Sequence, residues 1–340
     1  MIKVAINGFG RIGRLAFRKL IDEENIKVVA INDLSSINML SHLLKYDSSQ
    51  GILDKEVTFD EDSIIIDGEK TRVFSEQDPI NLPWKELGID IVLECTGVYK
   101  TKEGAMKHID AGAKKVVISC PSDKDVITIV YNVNQDKYND EDIISAASCT
   151  TNALAPVAKL LEDEYGINIG YMNTVHAYTN DQKLLDLSHK KGDLRRARAA
   201  ANNIVPSSTG AAKALSNVIP SLEGKLDGCA VRVPAITGSL MELTCELNKK
   251  VTVEEINSLF KSKENETMCY NEDEIVSSDI IGSNFGSIFD ATLTKVIDSN
   301  DKQLVKVSAW YDNEMGYTAQ MIRLVKYIGE RLWKEKEKNI

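Results

Sequence analysis

The chain is poor in the features that mark several broad classes of protein. No apolar run in its 340 residues approaches the roughly 18 to 20 residues that cross a bilayer. The opening stretch MIKVAINGFG lacks the charged-then-apolar order of a signal peptide, so a cytoplasmic protein is expected. Cysteine is sparse and scattered: Cys95, Cys120, Cys149, Cys229, Cys245 and Cys269 form no CxxC pair. That pattern excludes a disulfide framework or a zinc cluster and suits free thiols in a reducing compartment; no metal is expected. Positive charge is in deficit, with 41 Lys and Arg against 51 Asp and Glu and a net charge of -10. A chain so acidic opposes general binding to nucleic acid or to an anionic membrane, so neither is an expected partner and any phosphate site must be local. Internal repeats, low-complexity tracts and Pro/Gly/Ser-rich linkers are absent as well. Histidine occurs only four times, at His42, His108, His176 and His189.

What is present points to two domains of ordinary size. The first third alternates β-rich and helical stretches, IKVAIN, then IGRLAFRKLIDEEN, then KVVAIND, which is a βαβ unit. Further apolar runs follow at DIVLECTG, KVVISC and IISAASC, with a helical KTKEGAMKHIDAGA between the first two and a hairpin, VTFDEDSIIIDGEKTRVF, turning at Asp67 and Gly68. The fold class expected is α/β: a doubly wound, mostly parallel Rossmann-type sheet. From Gly170 the runs lengthen (YMNTVHAYT, CAVRVPAITGSLMELTCEL, DATLTKVID, KQLVKVSAWYDN) around one helix, VTVEEINSLFKS. They predict an α+β domain with an antiparallel sheet. Residues 316–336 carry apolar residues at helical spacing, giving an amphipathic C-terminal helix.

The segment NGFGRIG sets Gly8, Gly10 and Gly13 in GxGxxG order between a strand and a helix. Alone, such a triplet is as readily a structural turn. Here the glycines permit close backbone approach, so that a pyrophosphate sits on free N–H groups at the helix start. Asp33 ends the second strand, 20 residues after Gly13, where a carboxylate accepts from ribose hydroxyls. In SAASCTTN, Cys149 reads either as an inert buried thiol or as a nucleophile. The helical spacing of TTNALAPVAKLLEDEYG puts it at a helix N-terminus, where the dipole favours a thiolate. His42, His108 and His189 lie in polar helix-like or loop stretches and His176 in an apolar run, which leaves His176 as base by elimination; a satisfied core histidine is the alternative. Arg195, Arg196 and Arg198 in GDLRRARAA read by default as a solvated helix face. Arg232 lies inside the strand-like AVRVPAITG, where an unpaired charge is costly and an anion is wanted. Ser208, Thr209 and Gly210 precede a helix, and Thr179 and Asp181 suit the same pocket.

Taken together, NGFGRIGR, SCTTN, HAYTNDQ, DLRRARAA, VPSSTGAAKA, RVP and WYDNEMGY, in that order, closely resemble the phosphorylating glyceraldehyde-3-phosphate dehydrogenase family over nearly the whole chain. The resemblance implies a dinucleotide-binding domain over 1–148, a catalytic domain over 149–313, a helix over 314–340 packing back on the first domain, and a homotetramer. It implies NAD as cofactor and glyceraldehyde 3-phosphate and inorganic phosphate as substrates, in glycolysis. Cys149 attacks the aldehyde, His176 takes the thiol proton and assists hydride transfer, and phosphate cleaves the thioester. Thr179 and Arg232 would hold the substrate phosphate; Ser148, Thr150, Thr209 and Gly210 the attacking one, with Arg196 near both. Gly8, Gly10, Arg11, Ile12, Gly13, Asp33, Gln77, Ser119, Asn313 and Tyr317 would hold the cofactor. Four positions depart from the commoner pattern: Ala153 replaces a frequent second cysteine, Gln77 a basic residue, Cys120 an alanine and Ser188 a proline. The alternatives are erythrose-4-phosphate dehydrogenase, a non-catalytic nucleotide-binding protein and a cysteine hydrolase.

Overall fold

The computed structural model describes residues 1–338. The chain folds as two compact units, Met1–Ala147 with the chain from Thr318 onward, and Ser148–Tyr317.

The first unit is built on a sheet of nine strands: β1 (Ile2–Asn7), β2 (Ile26–Asn32), β3 (Val57–Phe59), β4 (Ser63–Ile66), β5 (Glu69–Phe74), β6 (Ile91–Glu94), β7 (Lys115–Ile118), β8 (Ile127–Thr128) and β9 (Ile143–Ser145). Their order is β8-β9-β7-β6-β1-β2-β5-β4-β3, and every pair from β8 through β5 is parallel. Helices α1 (Arg11–Leu20), α2 (Ile37–Lys45) and α3 (Lys102–Asp110) fill connections between strands. The central strands are apolar throughout because both faces are covered; Val4, Ile6, Val92, Leu93, Val116 and Val117 are fully buried. The expected hairpin turns at Asp67 and Gly68, at φ 48° and 87°, as a two-residue turn between paired antiparallel strands requires. It carries one more strand than the sequence reading drew. Asp60 Oδ1 accepts from Asp62 N at 3.2 Å and Asp60 N donates to Ser63 O, a side-chain-closed turn that frees Val57–Phe59 to pair as β3.

The second unit carries eight strands: β10 (Ile167–Ala177), β11 (Val205–Ser208), β12 (Leu226–Val233), β13 (Ser239–Leu247), β14 (Met268–Asn271), β15 (Ser287–Asp290), β16 (Lys295–Ser299) and β17 (Lys302–Tyr311). The path is β11-β12-β10-β13-β17-β15-β14, with β16 beside β17. The sheet is mixed: most pairs are antiparallel, but β10 with β12 and β14 with β15 run parallel. Alternate residues of β13 are buried, the period-two pattern of a strand with one face on a core. Helix α4 (Cys149–Tyr165) sends Ala153, Leu154, Val157, Ala158 and Leu161 into that core. Helix α5 (Val253–Ser262) starts with a capping box, Thr252 with Glu255. The last helix, α6 (Met315–Lys338), begins in the second unit and from Thr318 belongs to the first. There it buries Met321, Leu324, Val325 and Ile328.

Candidate active site

The second unit brings Cys149 and His176 together. Ser148 Oγ accepts from Thr151 N at 3.1 Å, so Ser148 caps α4 and Cys149 is its first residue. His176 stands near the end of β10, and its register partner on the neighbouring strand is Arg232. In this geometry Cys149 Sγ is 3.4 Å from His176 Nε2. His176 Nδ1 lies 2.7 Å from the Ala177 carbonyl, an acceptor only. Arg232 Nη1, which can only donate, lies 3.1 Å from the same nitrogen, so Nδ1 faces both an acceptor and a donor while Nε2 faces the sulfur. Arg232 Nη1 donates to the same carbonyl at 3.0 Å and to Thr179 Oγ1 at 3.3 Å.

Burial and charge act on this pair in opposing directions. Burial pushes the Cys149 thiol above its ordinary value, against the pull of Arg232 and of the Thr150 hydroxyl and helix-start amides. The helix N-terminus and Arg232 favour the thiolate, and loss of solvation opposes them. Burial first, then Arg232, drives His176 down to about 3. Burial thus disfavours the charged form of both groups, while Arg232 favours the thiolate and disfavours the imidazolium. One group the sequence reading passed over closes the site from beneath. Tyr311 is buried; its hydroxyl lies 3.0 Å from Thr150 Oγ1 and 2.7 Å from Thr174 Oγ1, and its ring meets His176 edge-on at 5.8 Å. Its place in WYDNEMGY was a signal, but only the fold shows that it turns inward.

The anion-binding residues gather around the same strands. Arg196 pairs with Asp181 at 2.6 Å and donates to the Ser208 carbonyl at 3.0 Å. Its charge acts on both His176 and Arg232. Arg232 keeps a buried Nε with no hydrogen-bond partner; buried guanidinium nitrogens are normally paired, so an anion is the natural complement. Thr209 Oγ1 accepts from Ala211 N at 3.2 Å, and Gly210 caps a single helical turn, Ala211–Ala214. Segment 193–198 is turn, not helix; Asp193 Oδ1 accepts from the N–H groups of Arg195 and Arg196 at 3.0 Å. Arg198 pairs with Asp186 at 2.9 Å. His189, set aside as a loop residue, reaches Asp181 at 3.3 Å. Asn313 is buried, with Ser239 Oγ 2.9 Å from its Oδ1; Tyr317 is buried too.

The first unit holds the glycine turn. Gly8 has φ 91°, and a Cβ there would lie 2.7 Å from Thr96 N; one on Gly13 would lie 2.1 Å from the Gly8 carbonyl; Gly10 faces open space. Helix α1 starts at Arg11 with no side-chain cap at Gly10 and no acid in its first turn, so its dipole favours an anion there. Asp33 is fixed beside the turn, accepting from Phe9 N at 2.8 Å and Ser35 N at 2.9 Å. The Arg11 side chain is committed to Asp47 and Ser49. Gln77 is exposed, its carbonyl accepting from Tyr99 Oη at 2.6 Å. Ser119 N donates to the Glu94 carbonyl at 3.0 Å, at the end of β7. His108 proves to be no helix-surface residue. It is wholly buried, its ring nitrogens 3.0 Å from Trp84 Nε1 and 3.1 Å from Glu94 Oε2.

Comparison with known proteins agrees with this geometry. The family model described as glyceraldehyde 3-phosphate dehydrogenase, NAD binding domain, matches residues 2–102, and that described as the C-terminal domain matches 148–313. A glyceraldehyde-3-phosphate dehydrogenase of Clostridium acetobutylicum is 58% identical over 331 residues, 97% of this chain and 99% of the relative. One from Streptococcus pyogenes is 55% identical over 332 residues, with the same coverage of both chains. With both family models matched and a cysteine, a histidine and two arginines gathered in the second unit, the chain belongs to the glyceraldehyde-3-phosphate dehydrogenase family, an NAD-dependent group of oxidoreductases.

Proposed function

We propose that this protein oxidises glyceraldehyde 3-phosphate with NAD and phosphate to 1,3-bisphosphoglycerate, a step of glycolysis, through a thioester on Cys149. The observation that carries the reading is the 3.4 Å contact between Cys149 Sγ and His176 Nε2. His176 takes the thiol proton as Sγ bonds to the aldehyde carbon, and returns it to the oxygen of the hemithioacetal. As the C–H bond is oxidised, His176 removes that proton again, and the carbonyl of the thioester forms. A phosphate oxygen then attacks the acyl carbon, and Sγ leaves. Bound NAD supplies the hydride acceptor. The uncapped start of α1, the open face at Gly10 and the fixed Asp33 fit a dinucleotide.

On this reading the domains run 1–148 for the dinucleotide, 149–313 for the chemistry and 314–340 for the closing helix. Arg232 and Thr179 take the substrate phosphate. Ser148, Thr150, Thr209 and Gly210 take the attacking one, with Arg196 between. Gly8, Arg11, Ile12, Gly13, Gln77, Ser119, Asn313 and Tyr317 complete the cofactor contacts. The assembly is a homotetramer: Leu184, Leu185, Leu187 and Leu194 are 82, 74, 64 and 84% exposed, a run of apolar surface that a second copy would cover. No helix among the described residues is long and apolar enough to cross a membrane, which suits a cytoplasmic enzyme. The test is NADH formation from glyceraldehyde 3-phosphate and NAD. Sustained turnover should require phosphate, and Cys149→Ser should abolish it; steady release of free acid without phosphate would refute the reading.

A further inference from the structure

In the first unit a line of buried polar side chains crosses the ends of three strands, and its bond directions can be assigned from the backbone outward. Asn32 Oδ1 accepts from Glu76 N at 2.8 Å and Asn32 Nδ2 donates to the Glu76 carbonyl at 2.9 Å, so the peptide groups fix which way this amide faces. Asn32 Nδ2 also donates to Asn7 Oδ1 at 2.7 Å. That fixes Asn7 in turn, and Asn7 Nδ2 donates to Glu94 Oε2 at 2.6 Å. From the other end, Trp84 Nε1–H can only donate, so His108 Nδ1 accepts and the ring proton sits on Nε2, aimed at Glu94 Oε2. Thr96 N donates to Glu94 Oε1 at 2.8 Å, and the Thr96 hydroxyl, which accepts from Val98 N, donates there too. Glu94 is thereby an acceptor for four donors while wholly buried.

Each anchor immediately precedes a residue of the proposed cofactor site: Asn7 before Gly8, Asn32 before Asp33, Glu76 before Gln77. Glu94 holds the Cys95–Thr96 backbone, against which Gly8 packs too closely for any Cβ. Asn7 and Asn32 are bonded to the same strands through the backbone, Cys95 N to the Asn7 carbonyl at 2.7 Å and Gly8 N to the Asn32 carbonyl at 2.8 Å.

We propose that Glu94, with Asn7 and His108, is the positioning centre of the dinucleotide site, locking the turn, the Asp33 strand end and the Gln77 segment into one preorganised surface. These residues act through their neighbours and touch no ligand. Because the relay has a direction, it can be reversed. Glu94→Gln alone sets two amide donors against each other, and Asn7→Asp alone sets two carboxylates together. In the double variant the carboxylate introduced on β1 accepts from Asn32, from the new amide on β6 and from His108, whose Nε2 already lies 3.3 Å from the Asn7 side chain. The oxygen of that new amide keeps both Thr96 donors. All pairings survive and one buried carboxylate remains.

The inference rests on the proposed cofactor site, and the experiment separates the two. NAD binding is measured by calorimetry without substrate, beside thermal melting, for both single variants, the double variant, Trp84→Phe and Asp33→Ala. Each single variant should bind NAD about tenfold or more weakly, and the double should return to within about threefold of wild type. If the single variants do not fold, Trp84→Phe carries the test: it removes the donor that fixes the His108 tautomer, at the cost of a void in the core that thermal melting registers, and should weaken NAD by about threefold. Folded single variants with wild-type affinity, a double variant no better than the worse single, or an unaffected Trp84→Phe would overturn the relay. Wild-type affinity in Asp33→Ala would instead remove the site on which it depends.

Discussion

A sulfur and an imidazole at 3.4 Å are chemically useful only if the proton can move from one to the other. Both groups are held away from their charged forms, Cys149 upward and His176 down to about 3, with burial the first cause in each case. Arg232 acts oppositely on the two, favouring thiolate and disfavouring imidazolium. Alkylation of Cys149 by iodoacetamide should therefore rise only at alkaline pH, and Arg232→Ala should move that rise further up because the stabilising charge is lost. An unmoved profile would show that Arg232 does not act on the thiol. For His176 the sign runs the other way. Its folded value lies below the ordinary 6.5, so the unfolded chain binds the extra proton and stability falls as pH drops from about 6.5 toward 3. His176→Asn should lose less stability than wild type across that window, as read by urea midpoints at successive pH values. Equal slopes would place the acid sensitivity elsewhere.

Between residues and the whole lie the strand ends and helix starts that hold them. Asp33 sits at the end of β2 with both oxygens committed to backbone donors, Phe9 N and Ser35 N, and Leu34 beside it is exposed and apolar. A carboxylate about 4 Å from a phosphate charge opposes it by roughly 4 kcal/mol at an effective dielectric of 20, before solvent screening and side-chain movement reduce the figure. NAD should therefore exceed NADP in kcat/KM by at least about 10²-fold. Ser188 offers only a neutral hydroxyl, worth about 1 kcal/mol, so a measured ratio below about 10 would mean that Asp33 turns from the ribose. Elements were the most legible scale. The spacing of glycines fixed α1 and its turn, and Ser148 followed by a helical pattern located Cys149 at the start of α4. The third strand, β3, escaped because its turn is closed by the Asp60 side chain and has no glycine.

For the molecule as a whole, the exposed leucines of segment 184–194 predict an assembly. Light scattering should give a mass about four times that of the 37.7 kDa chain, and Leu185→Asp should shift it to smaller species, since a buried unpaired carboxylate is costly at an apolar interface. A wild-type monomer would refute the arrangement. Residue order alone dictates the alternation of strands and helices, the glycine turn, Asp33 and the cysteine at a helix start, because each is written in local spacing and backbone preference. It reached His176 by elimination, and that elimination had a flaw: His108 shares a helical pattern with polar neighbours yet is fully buried. Other features arise only once the chain has closed on itself. His176 and Arg232 become register partners across parallel strands, Tyr311 comes to lie beneath Thr150, and Glu94 gathers donors from β1, α3 and the residues after its own strand. The burial that acts on Cys149 belongs with these. Charge balance depends on what surrounds a group in three dimensions, and desolvation there opposes the helix start that the sequence displays.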